Sequence, residues 1–228
     1  MSAPAELAPG LWRWTARHPD WHPGAFGAEV ASFALVAGDE LLLVDPLVPD
    51  EDGDGADGAT LTTLDALAAA AGTTAILITI GYHVRSAAPL SARYGARIHG
   101  PGTVAGRLAD TKAFTILEPG VPGPGGAVAH AIGRPRRSEL PLWLPSHAAI
   151  AFGDALVTTP DGELRMWCQE PRDERRLAFY RDRFAPTLAP LRDLPATRIL
   201  TTHGAPILTR GARHLATALD TEPWFHDG

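Results

Sequence analysis

"ILITIGYHVRSAAPL", residues 76–90, decides how the chain is read. An apolar run ends in a small Gly-Tyr-His loop, and Ser86 to Tyr94 then reads as a helix with Ser86 as candidate cap. Strand, tight loop and helix in that order form the unit in which α/β proteins hold their chemistry. Side chains at the carboxyl ends of strands gather at one edge of a sheet.

Working outward, "VASFALVA" and "ELLLVD" read as a hairpin over Val30 to Val44 turned by Gly38 and Asp39, ending on Asp45-Pro46. The acidic stretch "PDEDGDGADGAT" imitates half a calcium loop with Asp50, Asp52, Asp54 and Gly55. Leu61 stands where the closing Glu belongs, so a solvated surface loop is the expectation. Leu61, Leu64, Leu67 and Ala68 share one helical face, with Thr60 as candidate N-cap and Gly72 as the stop. "TAILIT" has the unbroken apolarity of a strand covered on both faces, and "ARIHG" is another strand. This strand–helix rhythm predicts an α/β layered fold.

Beyond Pro101 the pattern changes to short strands between Pro and Gly clusters, among them "ELPLWLPS", "AAIAFGD" and "LVTTPDGELRMW". Residues 173–194 are helical in tendency, with Pro186 and Pro190 expected to break or bend them. "TRILTTHG" is a last buried strand and "GARHLATAL" a closing helix.

The chain has 228 residues, 45% hydrophobic, a size that suits one domain spanning 1–228. Twenty-six acidic against 20 basic residues give a net charge of −6, and the basic residues are scattered, so nucleic acid is a poor partner. Lys112 is the only lysine, which with the abundant Ala, Gly and Pro reads as the codon bias of a GC-rich genome. Cys168 is the only cysteine, so no internal disulfide forms, and no base lies near it in sequence to make it a nucleophile. With no secretory or membrane-spanning pattern, the expected setting is the cytoplasm, without a membrane partner.

Three chemistry-bearing residues each follow a buried strand: His83 after "AILIT", Asp154 after "AIAFG" and His203 after "RILTT". Singly, each fits an ordinary turn or a histidine bonded to a backbone carbonyl. Jointly they mark one sheet edge.

The order of these landmarks resembles the metallo-β-lactamase superfamily over nearly the whole chain. The matching pieces are "ELLLVDPLVP" with Asp45, the 76–90 loop, "ELPLWLPSHAAIAFGDAL" and "RILTTHGAPIL". The resemblance implies a four-layer αββα sandwich, two mixed sheets face to face with helices outside. It also implies hydrolase-like chemistry at a two-metal centre.

The departures are as informative. Where the family has Thr-His-x-His-x-Asp-His, this chain has "TIGYHVRS"; a two-residue deletion aligns Tyr82-His83 with the Asp-His pair. The family's "GHTPGS" loop corresponds to "RPRRSE", residues 134–139, with its His replaced by Pro135. Nothing that would hold the first metal is left. His83, Asp154 and His203 match second-metal ligands, a set for at most one zinc or iron ion.

Arg85 then has two readings: a fixed positive charge stabilising an oxyanion beside Asp154, or a structural salt bridge to Glu139 or Asp154. Trp12, Trp14, Trp21 and His22 either line the mouth of a pocket or pack an edge. Two functions follow. One is hydrolysis of a small ester, thioester or lactone at a one-metal site with Arg85 and Asp154 as catalytic residues. The other is a metal-free pseudoenzyme binding a small anion in the remnant cleft.

Overall fold

The structure, a computed structural model, describes residues 2–22, 26–48, 57–169 and 172–226. The calcium-like stretch from Asp50 to Gly55 lies outside them. Seven strands lie side by side in chain order: β1 (Ser2–Ala8), β2 (Leu11–Arg17), β3 (Glu29–Ala37), β4 (Glu40–Val44), β5 (Thr73–Leu77), β6 (Arg97–Gly100) and β7 (Phe114–Ile116). β1 to β4 pair antiparallel and β4 to β7 pair parallel. The change falls where the crossovers α1 (Asp57–Ala70) and α2 (Ala87–Tyr94) begin, because parallel neighbours need a long return path.

The second half supplies β8 (Val128–Ala129), β9 (Leu142–Leu144), β10 (Ala149–Phe152), β11 (Leu156–Thr158), β12 (Leu164–Cys168), β13 (Arg198–Thr201) and β14 (Trp224–Phe225). They pair as a four-stranded sheet in the order β13-β10-β9-β8 and a three-stranded one in the order β11-β12-β14. The helices of this half are α3 (Glu174–Phe179), α4 (Ala185–Leu188) and α5 (Gly211–Asp220).

Strand alternation sorts the side chains into layers. In β4, Leu42 and Val44 point into a core shared with Leu142, Leu144, Ala149, Ala151 and Leu200 of the opposing sheet. Leu41 and Leu43 point the other way, to Leu64 of α1 and Leu90 of α2. In β10, Ala149 and Ala151 face the first sheet, whereas Ile150 and Phe152 face Phe184, Leu188 and Leu215 on the outer helices. Three cores between four layers are the αββα sandwich expected from the sequence. The doubly apolar run "AILI" follows directly from it, since each face of β5 meets a core.

Several local expectations change. α1 begins at Asp57, so Thr60 is a buried residue within it rather than its cap. Ser86 occupies the N-cap position of α2 but makes no capping bond; its hydroxyl accepts from Val48 N and donates to Val48 O, both at 2.8 Å, fixing the chain after β4. Residues 174–193 form one continuous path: α3, a π-helical turn at Tyr180–Phe184, α4 and a 3₁₀ turn at Ala189–Asp193. Pro186 and Pro190 each stand at the start of a segment, where a missing N–H costs little, so they bend the path without breaking it. β1 and β2 had no clear alternating signal in "MSAPAELAPGLWRW", and β14 is too short to show one. Among the described residues, no helix is long and apolar enough to cross a membrane.

Candidate functional site

The parallel strand β5 ends one residue before Ile78-Thr79, and the Gly81–His83 turn then carries the chain over the sheet edge. Asp45, one residue past β4, lies beside it. Asp45 is 2% exposed, and its carboxylate accepts from Thr79 N at 2.8 Å, from Thr79 Oγ1 at 2.5 Å and from His83 Nδ1 at 2.9 Å. A carboxylate partner makes His83 Nδ1 the donor and leaves Nε2 pointing away from Asp45.

That Nε2 lies 3.6 Å from Asp154 Oδ1, and His203 Nε2 lies 3.5 Å from the same oxygen. The three residues found at strand ends in the sequence thus meet at one atom. Both contacts are too long for good hydrogen bonds, and Oδ1 has no hydrogen-bond partner although it is buried. Burial pushes the Asp154 carboxyl up, but His83, His203 and Arg136 outweigh it and hold it below the usual carboxylate range. His203 is pushed down, chiefly by burial. Its position is fixed by Thr158 N donating to His203 O at 3.0 Å and by Gly204, whose φ of +86° and 2.0 Å clearance from Thr158 O to any added Cβ admit only glycine.

Glu139 explains why Asp154 stands where it does. Its fully buried carboxyl accepts from Gly153 N and Asp154 N, each at 2.9 Å, clamping the turn after β10. Burial, reinforced by the nearby Asp154 charge, pushes Glu139 up to about 8. Tyr82 donates from its hydroxyl to Asp154 Oδ2 at 2.7 Å. Burial and Asp154 together push that phenol up, so it stays a donor.

Arg85 adopts a left-handed backbone, φ +41°, as does Asp45 at +45°. Such strain in a bulky residue is held only where surrounding structure enforces it, and it concentrates at functional positions. Arg85 Nη1 donates to Asp45 O at 3.0 Å and to Ala31 O at 3.4 Å, while Nε and Nη2 are buried without partners. The expected salt bridge to Glu139 or Asp154 does not describe it, since its hydrogen bonds go to backbone carbonyls. Burial lowers its pKa, with Asp45 and Asp154 opposing.

The cation beside Asp154 is Arg136, 3.8 Å from Oδ2 and 3.3 Å from the Tyr82 hydroxyl, with its guanidinium 5.0 Å from the Trp167 ring centre. Sequence reasoning passed over it. The available signal was the "RPRRSE" loop itself, with three arginines where the chain closes over the site.

These groups line one cleft of about 390 Å³. His83, Arg85, Arg136, Asp154 and His203 form one part of its lining; Trp21, Phe26 and Trp167 form another. Phe26 packs against Trp167 at 5.9 Å and against His203 at 5.2 Å. Of Trp12, Trp14, Trp21 and His22, the last two reach the cleft. Trp14 is fully buried against α1 and α2, bonded to Leu47 O at 2.8 Å, and Trp12 packs on that same outer core. His18, unremarked in the sequence, also lines the cleft, its pKa lowered by burial and by Arg85.

Two imidazoles and a carboxylate are suitable donor types for zinc or iron, and His83 has on its other nitrogen the carboxylate partner that metal-bound histidines use. As placed, however, no three His, Cys, Asp or Glu side chains among the described residues are arranged to hold a metal ion.

No protein-family model and no curated protein matches the chain. Solved structures do. A metallo-β-lactamase from Pontibacter korlensis superposes with a TM-score of 0.65 at 13% identity, covering 96% of this chain and 99% of that one. DIM-1 metallo-β-lactamase gives 0.63 at 12% identity, covering 95% and 96%. FIM-1 from Pseudomonas aeruginosa, solved in a mono-zinc form, gives 0.60 at 14% identity, covering 95% and 94%. TM-scores of 0.63 and 0.65 with near-complete mutual coverage establish that this chain has the metallo-β-lactamase fold.

Proposed function

We propose that the cleft binds a small organic anion, with Arg85 and Arg136 supplying the positive charge. One observation carries this reading. On cleft-lining residues, Trp21 Nε1, Arg85 Nε and Nη2, Arg136 Nε and Trp167 Nε1 are buried N–H donors without acceptors. Buried donors are costly to leave unpaired, so a small adjustment of these side chains toward a ligand rich in acceptor oxygens, such as a carboxylate, would satisfy them. The fold argues for a hydrolase ancestry, but with the first-metal residues replaced, binding is what the remaining groups support best.

Calorimetric titration with acetate and benzoate tests it. Arg85→Gly suits the left-handed backbone and removes the guanidinium, so it is expected to weaken binding at least about tenfold. Wild-type protein showing no heat and no thermal shift at millimolar carboxylate would end this reading. Binding is also expected to strengthen as pH falls below the ordinary imidazole range. His18 and His203 are both held below the ordinary imidazole range, so they gain charge only on acidification. A pH-independent affinity in Arg85-competent protein would show that neither histidine faces the anion.

A second reading is favoured by the unpartnered Asp154 Oδ1 facing two imidazole nitrogens. In it, a shift of these side chains lets His83, Asp154 and His203 hold one zinc or iron ion, and the protein hydrolyses a small ester, thioester or lactone. When bound, such an ion supplies an acidified water. Elemental analysis after zinc or iron supplementation decides between them: near-stoichiometric metal, lost in His203→Ala, supports the hydrolase, and less than ~0.2 ion per chain removes it.

A further inference from the structure

A separate cavity of about 480 Å³ lies between α5 and the turn that joins β11 to β12. It shares no lining residue with the candidate cleft. The two lie toward opposite ends of β12: Leu164 and Arg165, where the strand starts, line this cavity, and Trp167, near its end, lines the cleft.

The sequence of α5 builds one wall. Gly211, Leu215, Ala218 and Leu219 are its buried face. Arg210, Arg213, His214 and Thr217 are three or four residues apart, so they share another face, and all four line the cavity. The backbone at the start of the helix is already satisfied. Gly211 N and Ala212 N donate to Thr197 O and Ala196 O, and Arg213 N and His214 N donate to Arg210 O. What the wall offers is therefore its side chains.

Neighbouring arginines are matched to acids: Arg165 to Glu163, Arg172 to Glu222 and Arg192 to Asp220. Among the described residues, the guanidiniums of Arg210 and Arg213 have no hydrogen-bond or salt-bridge partner. Two uncompensated charges thus stand one helical turn apart in a chain whose net charge is −6. The acid of the cavity, Glu163, is spent on its own wall, accepting from Arg165 Nε at 3.0 Å and from Nη2 at 2.5 Å. Arg165 is occupied as well, since its Nη1 donates to Glu222 O at 3.1 Å.

We propose that this cavity is a second ligand site, which takes a small molecule bearing a phosphoryl group. Two guanidiniums match the near-double charge and the several acceptor oxygens of a phosphate monoester better than they match a single carboxylate. The volume is that of a small-molecule site and exceeds what one phosphoryl group fills, so the ligand is an ester rather than the free ion. Leu164 and the aliphatic stems of the arginines supply apolar surface for the attached group, and His214 and Thr217 add polar contacts. The proposal does not depend on what the cleft binds.

Calorimetry on the full chain with phenyl phosphate and AMP, and with adenosine as the uncharged control, tests it. The two esters are expected to bind saturably and adenosine is not. Arg210→Gly suits the left-handed backbone at that position, φ +54°, so it removes the guanidinium without straining the chain. Arg210→Gly and Arg213→Gln are each expected to weaken ester binding by at least about tenfold. Glu163→Gln removes a negative charge from the opposite wall and is expected to strengthen it by about threefold. Absence of saturable binding at millimolar ester overturns the proposal, as does adenosine binding as tightly as AMP. Ester affinity unchanged in both arginine variants places the ligand elsewhere and overturns it too. So does weaker binding in Glu163→Gln, because the losses would then follow any disturbance of the wall rather than its charge.

Discussion

Asp45→Ala is expected to lower the free energy of unfolding by about 3–5 kcal/mol, the range for removing one partner of a buried charged network. Asp45 sits at the junction of β4, β5 and the His83 turn, and its carboxylate is the acceptor for three buried donors. Alanine leaves Thr79 N, Thr79 Oγ1 and His83 Nδ1 without that acceptor, and it is poorly suited to φ +45°. Asp45→Asn keeps a residue that tolerates the left-handed region and one acceptor oxygen, so it should lose about half as much. Urea denaturation of the three proteins gives the comparison. A loss below about 1 kcal/mol in Asp45→Ala would show that water replaces the carboxylate and that the sheet edge does not depend on it.

Glu139 gives the second large effect, and one with a pH signature. Replacement by alanine strands two buried backbone donors, Gly153 N and Asp154 N, and is expected to cost about 3 kcal/mol or more. Glutamine fits the space but turns an N–H₂ group toward one of those donors, at a cost of about 1–3 kcal/mol. Folded Glu139 keeps its proton up to about 8, whereas an unfolded glutamate releases it near about 4.3. Folding therefore takes up a proton between those values. The stability contributed is complete below the unfolded pKa and is lost as pH rises through about 8. Asp154, held low, acts oppositely: its contribution is present above the ordinary carboxylate pKa and fades in acid. The difference between wild type and Glu139→Gln isolates the first effect, so it should be largest near pH 5 and shrink toward pH 9. A difference that stays constant across that range would mean Glu139 is ionised throughout.

Both predictions concern residues that the sequence named without explaining. Asp45 was visible as the end of a hairpin, and Glu139 as one residue of the "RPRRSE" loop. The role of each comes from what lies opposite it. Asp45 meets Thr79 and His83 across 34 and 38 residues, and Glu139 meets Gly153 and Asp154 on the far side of two strands. Arg85 shows the same limit. Its charge and nearness to His83 were evident, but sequence offered two carboxylate partners, and the folded chain gives it the carbonyls of Asp45 and Ala31 instead.

What the residue pattern alone determined was an α/β layered fold and the sheet edge that carries the chemistry; the four-layer order came only with the family resemblance. Period-two and unbroken apolar runs state how many faces of a strand are covered, and a polar residue after such a run must lie where the strand leaves the core. That placed His83, Asp154 and His203 together before any coordinates. Tertiary structure alone decided what surrounds them. Arg136 and Trp167 come from segments more than 50 and 80 residues beyond His83, brought in by folding of the second half of the chain. Direction and partner of a side chain depend on the packing of distant segments, and local pattern carries no record of that.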